Sequence, residues 1–598
     1  MSTNDNIGIL SSLPTKIPFW RFIFDQKVIT EEVARFPYAG KVWLPNDPRN
    51  PMNFSAVKKW SITVLVSMVT LAVALVSSAY SGGTKQIIEE FGARQEVVIL
   101  GVSLMVLGFA LGPLIWSPLS EIYGRRYIFT TTYMFFTAFN AGAAGAKNIQ
   151  TLVILRFFAG AFGSSPFGNG GGTISDMFIA SERGIAISLF AAAPFLGPTI
   201  GPVVGGFLAS GGGWRWVEGL LAAFSGTLWL CVIFLLPETY GPVLLRRRAA
   251  KLSEMSGQVY RSKLDIQRGP IPKTKTLTTA LSRPWILFFR EPIVLLLSTY
   301  MAIIYGTLYM LFAAYPIVFQ HVRGWSEGIG GLAFMGVLVG MVCALIYTIP
   351  ENMRYKKLAS QTTDRLAPEV RLPPAMVGGI ALPIGLFWFA WTNSPSVHWM
   401  ASVAAGAPFG FGMVLVFLSV FNYLIDSYTI FAASVLAANT ALRSLFGMAF
   451  PLFTTYMYQN LGIHWASSIP AFLALACVPF PFILYKYGDK IRQRCTFAAE
   501  ADAYMRQLVE KNHAVNRQEE QVEQKPEEDG NEPGTASDNE SLSTVPSRPS
   551  LGRFASRNSR QSGRSMRRTA TATQYEENPY DLDLVNTQNS AIVGHRKD

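Results

Sequence analysis

Charge is scarce in this sequence. Only 15% of its 598 residues are Asp, Glu, Lys or Arg, where a soluble protein carries roughly 25%. Cysteine is scarcer: Cys231, Cys343, Cys477 and Cys495 are all there are. Three of them lie inside apolar runs and none forms a C-x-x-C pair, so neither a disulfide framework nor a zinc site is indicated. The first 56 residues lack the apolar h-region of a cleavable signal peptide, and the first span is expected to act as its own insertion signal. The apolar/polar alternation of a β-barrel is missing too, because the apolar runs are continuous.

What remains is apolar. Half of the residues are hydrophobic. Runs long enough to cross a bilayer fall at 60–80, 97–119, 127–146, 151–178, 184–209 and 216–237, then at 292–320, 329–350, 373–392, 398–424, 429–459 and 464–486. This predicts an all-α polytopic membrane protein with about twelve transmembrane helices. The polar gap 238–290 divides them into two sets of six. It carries "RRRAAK" (Arg246 to Lys251) and seven further Lys or Arg residues. By the positive-inside rule this loop is cytoplasmic, as are Arg125, Arg126, Arg354, Lys356, Lys357 and both termini. The net charge of +12 then marks cytoplasmic loops and gives no reason to expect nucleic acid. The expected organisation is an N-terminal segment 1–56, a bundle 57–237, a central loop 238–290, a second bundle 291–487 and a tail 488–598.

The tail differs in kind. An acidic, Gln-rich part from Glu519 precedes a Ser/Arg-rich part, and both argue for disorder. "RFAS" (Arg553 to Ser556) and "RRT" (Arg567 to Thr569) make a basophilic kinase a candidate partner. A plain solvated tail, or loose contact with anionic lipid heads, is the alternative.

Ionisable residues inside apolar runs are costly, so each is a candidate site. Arg156 lies near the outer start of the fourth run and Asp176 near its cytoplasmic end, about 30 Å away along a helix. Asp426 and Arg443 stand in the second half. Arg156 either snorkels outward or faces the centre, where it would favour loss of a proton from a nearby carboxyl. Glu218, at the start of the sixth run, is the nearest acid by topology. Asp176 shares the cytoplasmic side with Glu121, Arg125 and Arg126, either as a salt-bridge cluster or as solvated interface. "GPTIGPVVGGFL" sets Gly197, Gly201 and Gly205 on one helical face, next to Gly206, with Pro198 and Pro202 able to bend the helix. Plain packing accounts for it, as does a bendable contact between moving helices. Tyr305, Tyr309 and Phe312 share a face of the seventh run. With Trp388 and Trp391 they are candidates for a cavity wall suited to flat lipophilic or cationic compounds; the alternative is a lipid-facing or core position.

Several stretches together resemble the major facilitator superfamily, in its fungal twelve-span drug:proton antiporter group. "GPLIWSPLSEIYGRR" (Gly112 to Arg126) resembles the superfamily's loop 2–3 signature. "RFFAGAFG" (Arg156 to Gly163) resembles the fourth-helix arginine motif linked to proton coupling, and "GPTIGPVVGGFL" the fifth-helix motif of antiporters. "DPRNPMNFS" (Asp47 to Ser55), "PETY" (Pro237 to Tyr240) and "ANTALRSLFGMAFPLF" (Ala438 to Phe453) also match the fungal group. Ser117 stands where the signature often has glycine, Glu121 where it usually has aspartate, and Ile122 where a basic residue is common. The first span has no acid, although several bacterial relatives carry their proton site there, so Glu218 and Asp176 are the candidate proton carriers.

The resemblance implies two six-helix bundles around a cavity open alternately to each side. It implies a plasma-membrane exporter of drugs or other lipophilic or cationic small molecules, driven by protons without a cofactor or catalysis. An exported secondary metabolite is the alternative, with polyamines ranked below for want of cavity acids. A non-transporting sensor signalling through the tail is a rival of another class; an uptake symporter is disfavoured by the fifth-helix motif. The resemblance further implies a latch, with Glu121, Gly124, Arg125, Arg126 and Asp176 holding the start of the eleventh span near Ser427. A carboxylate at that helix N-terminus is favourable by about 0.3–1 kcal/mol.

Overall fold

With no water inside a bilayer, a spanning chain must satisfy its backbone within the segment, and these apolar runs do so as helices. The computed structural model describes residues 47–507 except 48, 180–181, 257–272 and 362–365, and every regular element among them is helical. The candidate kinase sites of the tail lie outside the described residues. Polar residues start several spans: Ser55 accepts the Lys58 amide and Asn148 the Thr151 amide.

The first six spans are Ala56–Ala79, Gln95–Tyr123, Arg125–Ala144, the pair Ile149–Gly163 and Ser165–Ser175, Arg183–Gly212 and Trp214–Leu235. The seventh, Pro292–Tyr315, runs into a π turn over Pro316–Val322. The eighth is Glu327–Leu332 continued by Phe334–Gln361, the ninth Pro373–Thr392, and the tenth Trp399–Ala404 continued by Gly406–Ser427. The eleventh and twelfth form one helical run, Ala432–Cys477, that reverses at Gly462, where φ is 72°, and continues as Pro479–Arg494. Among the described residues nine segments are long and apolar enough to cross a membrane by length and composition, the last of which, Thr429–Arg494, contains that reversal. Counting it twice, and adding the more polar third span and the broken fourth, gives the twelve expected. The eighth overshoots its expected end at 350, because the charged residues that follow continue the helix as far as Gln361.

Twelve passes bring Asp47, the linker after the sixth span and residue 507 to one side, here called the near side. In the first half the first span packs on the fifth, the second on the fourth and the third on the sixth; in the second half the seventh packs on the eleventh, and the tenth on the eighth and ninth. The halves meet where the second span touches the eleventh and the fifth touches the eighth. On the far side that contact is backbone on backbone. A Cβ on Gly206 would strike the Glu327 carbonyl, and one on Gly331 the Pro202 carbonyl. Gln86 ties the same place, its Nε2 donating to Ala209 O (2.8 Å) and Glu327 Oε2 (3.3 Å). Deeper in, Phe195 and Phe417 meet across the halves with ring centroids 4.8 Å apart.

On the near side the linker helix Lys273–Arg290 packs on both the second and the eleventh spans, bridging the halves. Each half also carries the same ion pair. Arg125, opening the third span, meets Asp176 at the end of the fourth (3.5 Å), and Arg371, just before the ninth, meets Asp426 near the end of the tenth (3.0 Å).

Candidate functional site

Small residues decide where Arg156 goes. Gly160 lies against the Met105 carbonyl and Gly108 against the Ala161 amide, so the second and fourth spans touch along their backbones. That approach brings the Arg156 guanidinium to the second span, where Nε donates to Gly101 O at 2.8 Å. Nη1 donates to Glu218 Oε1 at 2.7 Å, and Nη2 to Val76 O at 3.1 Å and Ser77 O at 3.4 Å. Tyr80 covers its face, 4.2 Å from ring centroid to guanidinium carbon. One cation thus gathers the first, second, fourth and sixth spans.

Arg156 is 0% exposed and Glu218 is 1% exposed, so the arginine does not snorkel. A buried ion pair survives where further hydrogen bonds satisfy its donors, and the carbonyls of Gly101, Val76 and Ser77 do that here. Glu218 Oε2 has no hydrogen-bond partner among the described residues. One oxygen holds the arginine and the other remains able to take a proton.

A line of contacts leads from this pair into the other half. The Ser77 hydroxyl meets the Tyr309 hydroxyl at 2.9 Å. Tyr305 OH donates to Tyr309 OH at 3.5 Å, and the Tyr305 ring faces the Arg443 guanidinium at 5.0 Å. Tyr305, Tyr309 and Phe312 are all buried where the halves meet. The two tryptophans are not with them. Trp388 and Trp391 are 42% and 57% exposed, and Trp391 stacks on His464 and meets Trp465 in the twelfth span. The expectation of a cavity wall is corrected for both: they lie on the bundle's outer surface, where aromatic residues suit a lipid boundary.

The near-side cluster forms around Gly124. Its φ is 106°, and a Cβ there would strike the Glu238 carboxylate. Glu238 Oε1 accepts the amides of Arg125 (2.8 Å), Thr239 (3.2 Å) and Tyr240 (3.1 Å). The Arg125 side chain reaches Asp176, Ser120 Oγ (2.7 Å) and Asn169 Oδ1 (3.5 Å), and packs over the Tyr240 ring. Arg126 instead caps the sixth span, donating to Ile233 O at 3.0 Å. Glu121 sits half-buried on the last turn of the second span. Burial pushes the Glu238 carboxyl above the usual glutamate range, opposed by the amides it accepts and by Arg247 and Arg125. The role of Glu238 was not anticipated; its only signal was an acid directly after the sixth span in "PETY".

The glycine face of the fifth span is divided between two neighbours. Gly197, Gly201 and Gly205 press on the first span at Ala74, Ser78 and Ala79, within one half. Pro202 and Gly206 press on the eighth span, in the other half. Pro198 is buried inside the same helix, which continues unbroken through it.

Comparison with known proteins agrees with this architecture. The Major Facilitator Superfamily pattern matches residues 66–451. The chain is 59% identical over 590 residues to the MFS-type efflux pump MFS2 of Trichophyton rubrum, covering 97% of each. It is 58% identical over 594 residues to the major facilitator superfamily multidrug transporter mdrA of Aspergillus fumigatus, again covering 97% of each. It is 44% identical over 458 residues to the citrinin biosynthesis cluster MFS transporter mrr1 of Monascus ruber, covering 76% of this chain and 91% of that one. Among solved structures it resembles the proton:xylose symporter XylE bound to 6-bromo-6-deoxy-D-glucose, with a TM-score of 0.52 and 16% identity over 73% of this chain and 96% of that one, a likeness of fold alone. On this fold and these likenesses, the chain belongs to the major facilitator superfamily, as a multi-pass membrane transporter and not an enzyme.

Proposed function

We propose that the protein exports lipophilic small molecules, drugs among them, in exchange for protons by alternating access. The observation that carries this reading is the buried Arg156–Glu218 pair and its link through Ser77 to Tyr309 across the halves. When Glu218 takes a proton, its charge attraction to Arg156 is lost. Arg156 also holds the Val76 and Ser77 carbonyls, so a change at Glu218 is felt where the first span touches the seventh. Proton binding on the far side would thereby loosen one contact between the halves and favour opening toward the near side. Glu218 is the proton carrier in this scheme, and Asp176 a member of the near-side cluster.

The names of two relatives, efflux pump and multidrug transporter, support export over uptake. A relative named for the citrinin biosynthesis cluster supports the second reading, export of a secondary metabolite. The tyrosine wall suits flat lipophilic compounds. Cationic compounds fit less well than the sequence suggested, since buried Arg443 stands beside that wall.

By the positive-inside rule the near side is cytoplasmic, and the plasma membrane is the proposed location. The cluster around Gly124 then acts as the latch. In this scheme it holds the near-side end of the second span, which carries Glu121, and releases it when the near side opens. Glu121→Gln should raise the reactivity of near-side cysteines; unchanged labelling would remove the latch.

Export is tested by dye accumulation in a pump-deficient fungal host, with and without an uncoupler. Wild type should lower accumulation and the uncoupler should restore it. Arg156→Ala and Glu218→Gln should behave as uncoupled protein at equal surface abundance. If accumulation were unaffected across a varied compound panel, the sensor reading would stand instead.

A further inference from the structure

Five arginines are deeply buried among the described residues. Arg125, Arg156 and Arg492 pair with carboxylates, and Arg183 donates to two backbone carbonyls. Arg443 has neither. It is 5% exposed, its Nε has no hydrogen-bond partner, and no acid among the described residues pairs with it. A cation withdrawn from water in this way is costly unless something of opposite charge arrives. Aromatic faces offset part of that cost. Tyr305, Phe421 and Phe417 supply them, with centroids 5.0, 5.8 and 5.9 Å from the guanidinium carbon.

The location matters as much as the missing partner. Arg443 lies within the eleventh span, and Gly447, one turn on, packs against both the Tyr305 ring and Val106 of the other half. Phe417 in turn meets Phe195 of the fifth span. The guanidinium therefore stands at the seam between the halves, where an alternating-access transporter holds its cargo. One turn earlier, Asn439 Oδ1 is also buried without a partner, while its Nδ2 donates to Ser298 Oγ at 3.2 Å. A planar cation ringed by aromatic faces, beside an unused acceptor, has the complementarity for a flat acid. The carboxylate would meet the guanidinium fork, the apolar body would lie on the rings, and a donor on the body would reach Asn439.

We propose that Arg443 binds the carboxylate of the transported compound, and that lipophilic aromatic acids are therefore a substrate class of this protein. The proposal rests on the export reading above. It also explains why the tyrosine pair belongs to both sites: Tyr305 touches Arg443, and Tyr309 touches Ser77.

The test uses the full chain in a pump-deficient host and two fluorescent probes, 9-anthracenecarboxylate and its methyl ester, which share a ring system and differ in charge. Wild type should export both. Arg443→Gln should cut carboxylate efflux at least tenfold and ester efflux less than twofold, with Arg443→Lys restoring part of the carboxylate activity. Equal loss of both probes at normal surface abundance would make Arg443 a structural cation and overturn the proposal. So would wild-type export of the ester and other lipophilic dyes without the carboxylate. Failure to export any of these compounds would instead overturn the export reading. A binding arm separates substrate from inorganic anion: purified protein should be stabilised against heat by 9-anthracenecarboxylate and not by chloride at equal concentration and ionic strength. Equal protection by chloride would mark a simple anion site and refute the assignment.

Discussion

Replacing Arg156 by Met and Glu218 by Leu, singly and together, measures the pair at the centre of the first half. The facing atoms are 2.7 Å apart and both side chains are essentially out of solvent. With charge centres ~4 Å apart, the attraction at the effective permittivity usual for protein charges is about 4 kcal/mol. Removing one partner strands the other, at a cost of ~3–5 kcal/mol. Removing both leaves apolar side chains of similar size where ions stood, which costs far less than the two single changes added together. Fluorescence-detected size-exclusion chromatography of heated, detergent-solubilised protein should show each single variant melting well below wild type and the double variant recovering most of the loss. Transport should not follow stability: the recovered double variant should still fail to export dye against a gradient. Additive losses in the double variant would show that the pair does not interact energetically, and restored uphill export would show that it does not couple protons.

Three further outcomes follow from particular contacts. Gly206→Val should wedge the fifth span away from Glu327, shifting the protein toward a far-side-open state, read as faster labelling of a cysteine placed at Ser326. Gly124→Ala should force an L-residue into a left-handed conformation against the Glu238 carboxylate, costing ~1–3 kcal/mol and lowering both melting temperature and surface abundance. Because burial raises the Glu238 carboxyl above its ordinary value of 4.5, its neutral form favours the fold; that contribution is complete below pH 4.5 and is lost as pH rises through the raised value. Melting temperatures of wild type should therefore fall across that window relative to Glu238→Gln, whose profile should be flatter.

The twelve passes were legible because apolar length is a local property, and length is what a bilayer demands. Arg156 was legible as a site for the same reason: a charge in an apolar run stands out along the chain. Its partner was not, since whether Glu218 reaches it depends on how closely four helices pack, and glycines such as Gly160 and Gly108 decide that. Spacing placed Tyr305, Tyr309 and Phe312 on one face but could not say which way a face turns, so for Trp388 and Trp391 the cavity wall and the lipid-facing position stayed open until their exposure decided for the second. Glu238 escaped because it lies over a hundred residues from Gly124. Arg443 was visible as a charge; that no acid among the described residues pairs with it is a property of its whole surroundings.

The fifth span has a consequence for how such a protein can diverge. Where Gly205 and Gly206 meet the first and the eighth spans, the facing atoms are backbone atoms of Ala79, Glu327 and Gly328. There is no side chain there to trim or enlarge, so selection has no graded means of adjusting these surfaces. A substitution at Gly206 would alter the moving interface on a helix whose next face also holds the static one. Changes in transport rate are therefore open to inheritance mainly through neighbours that still have side chains to vary, such as Ser78 and Phe207, while the glycine positions accept all-or-nothing outcomes.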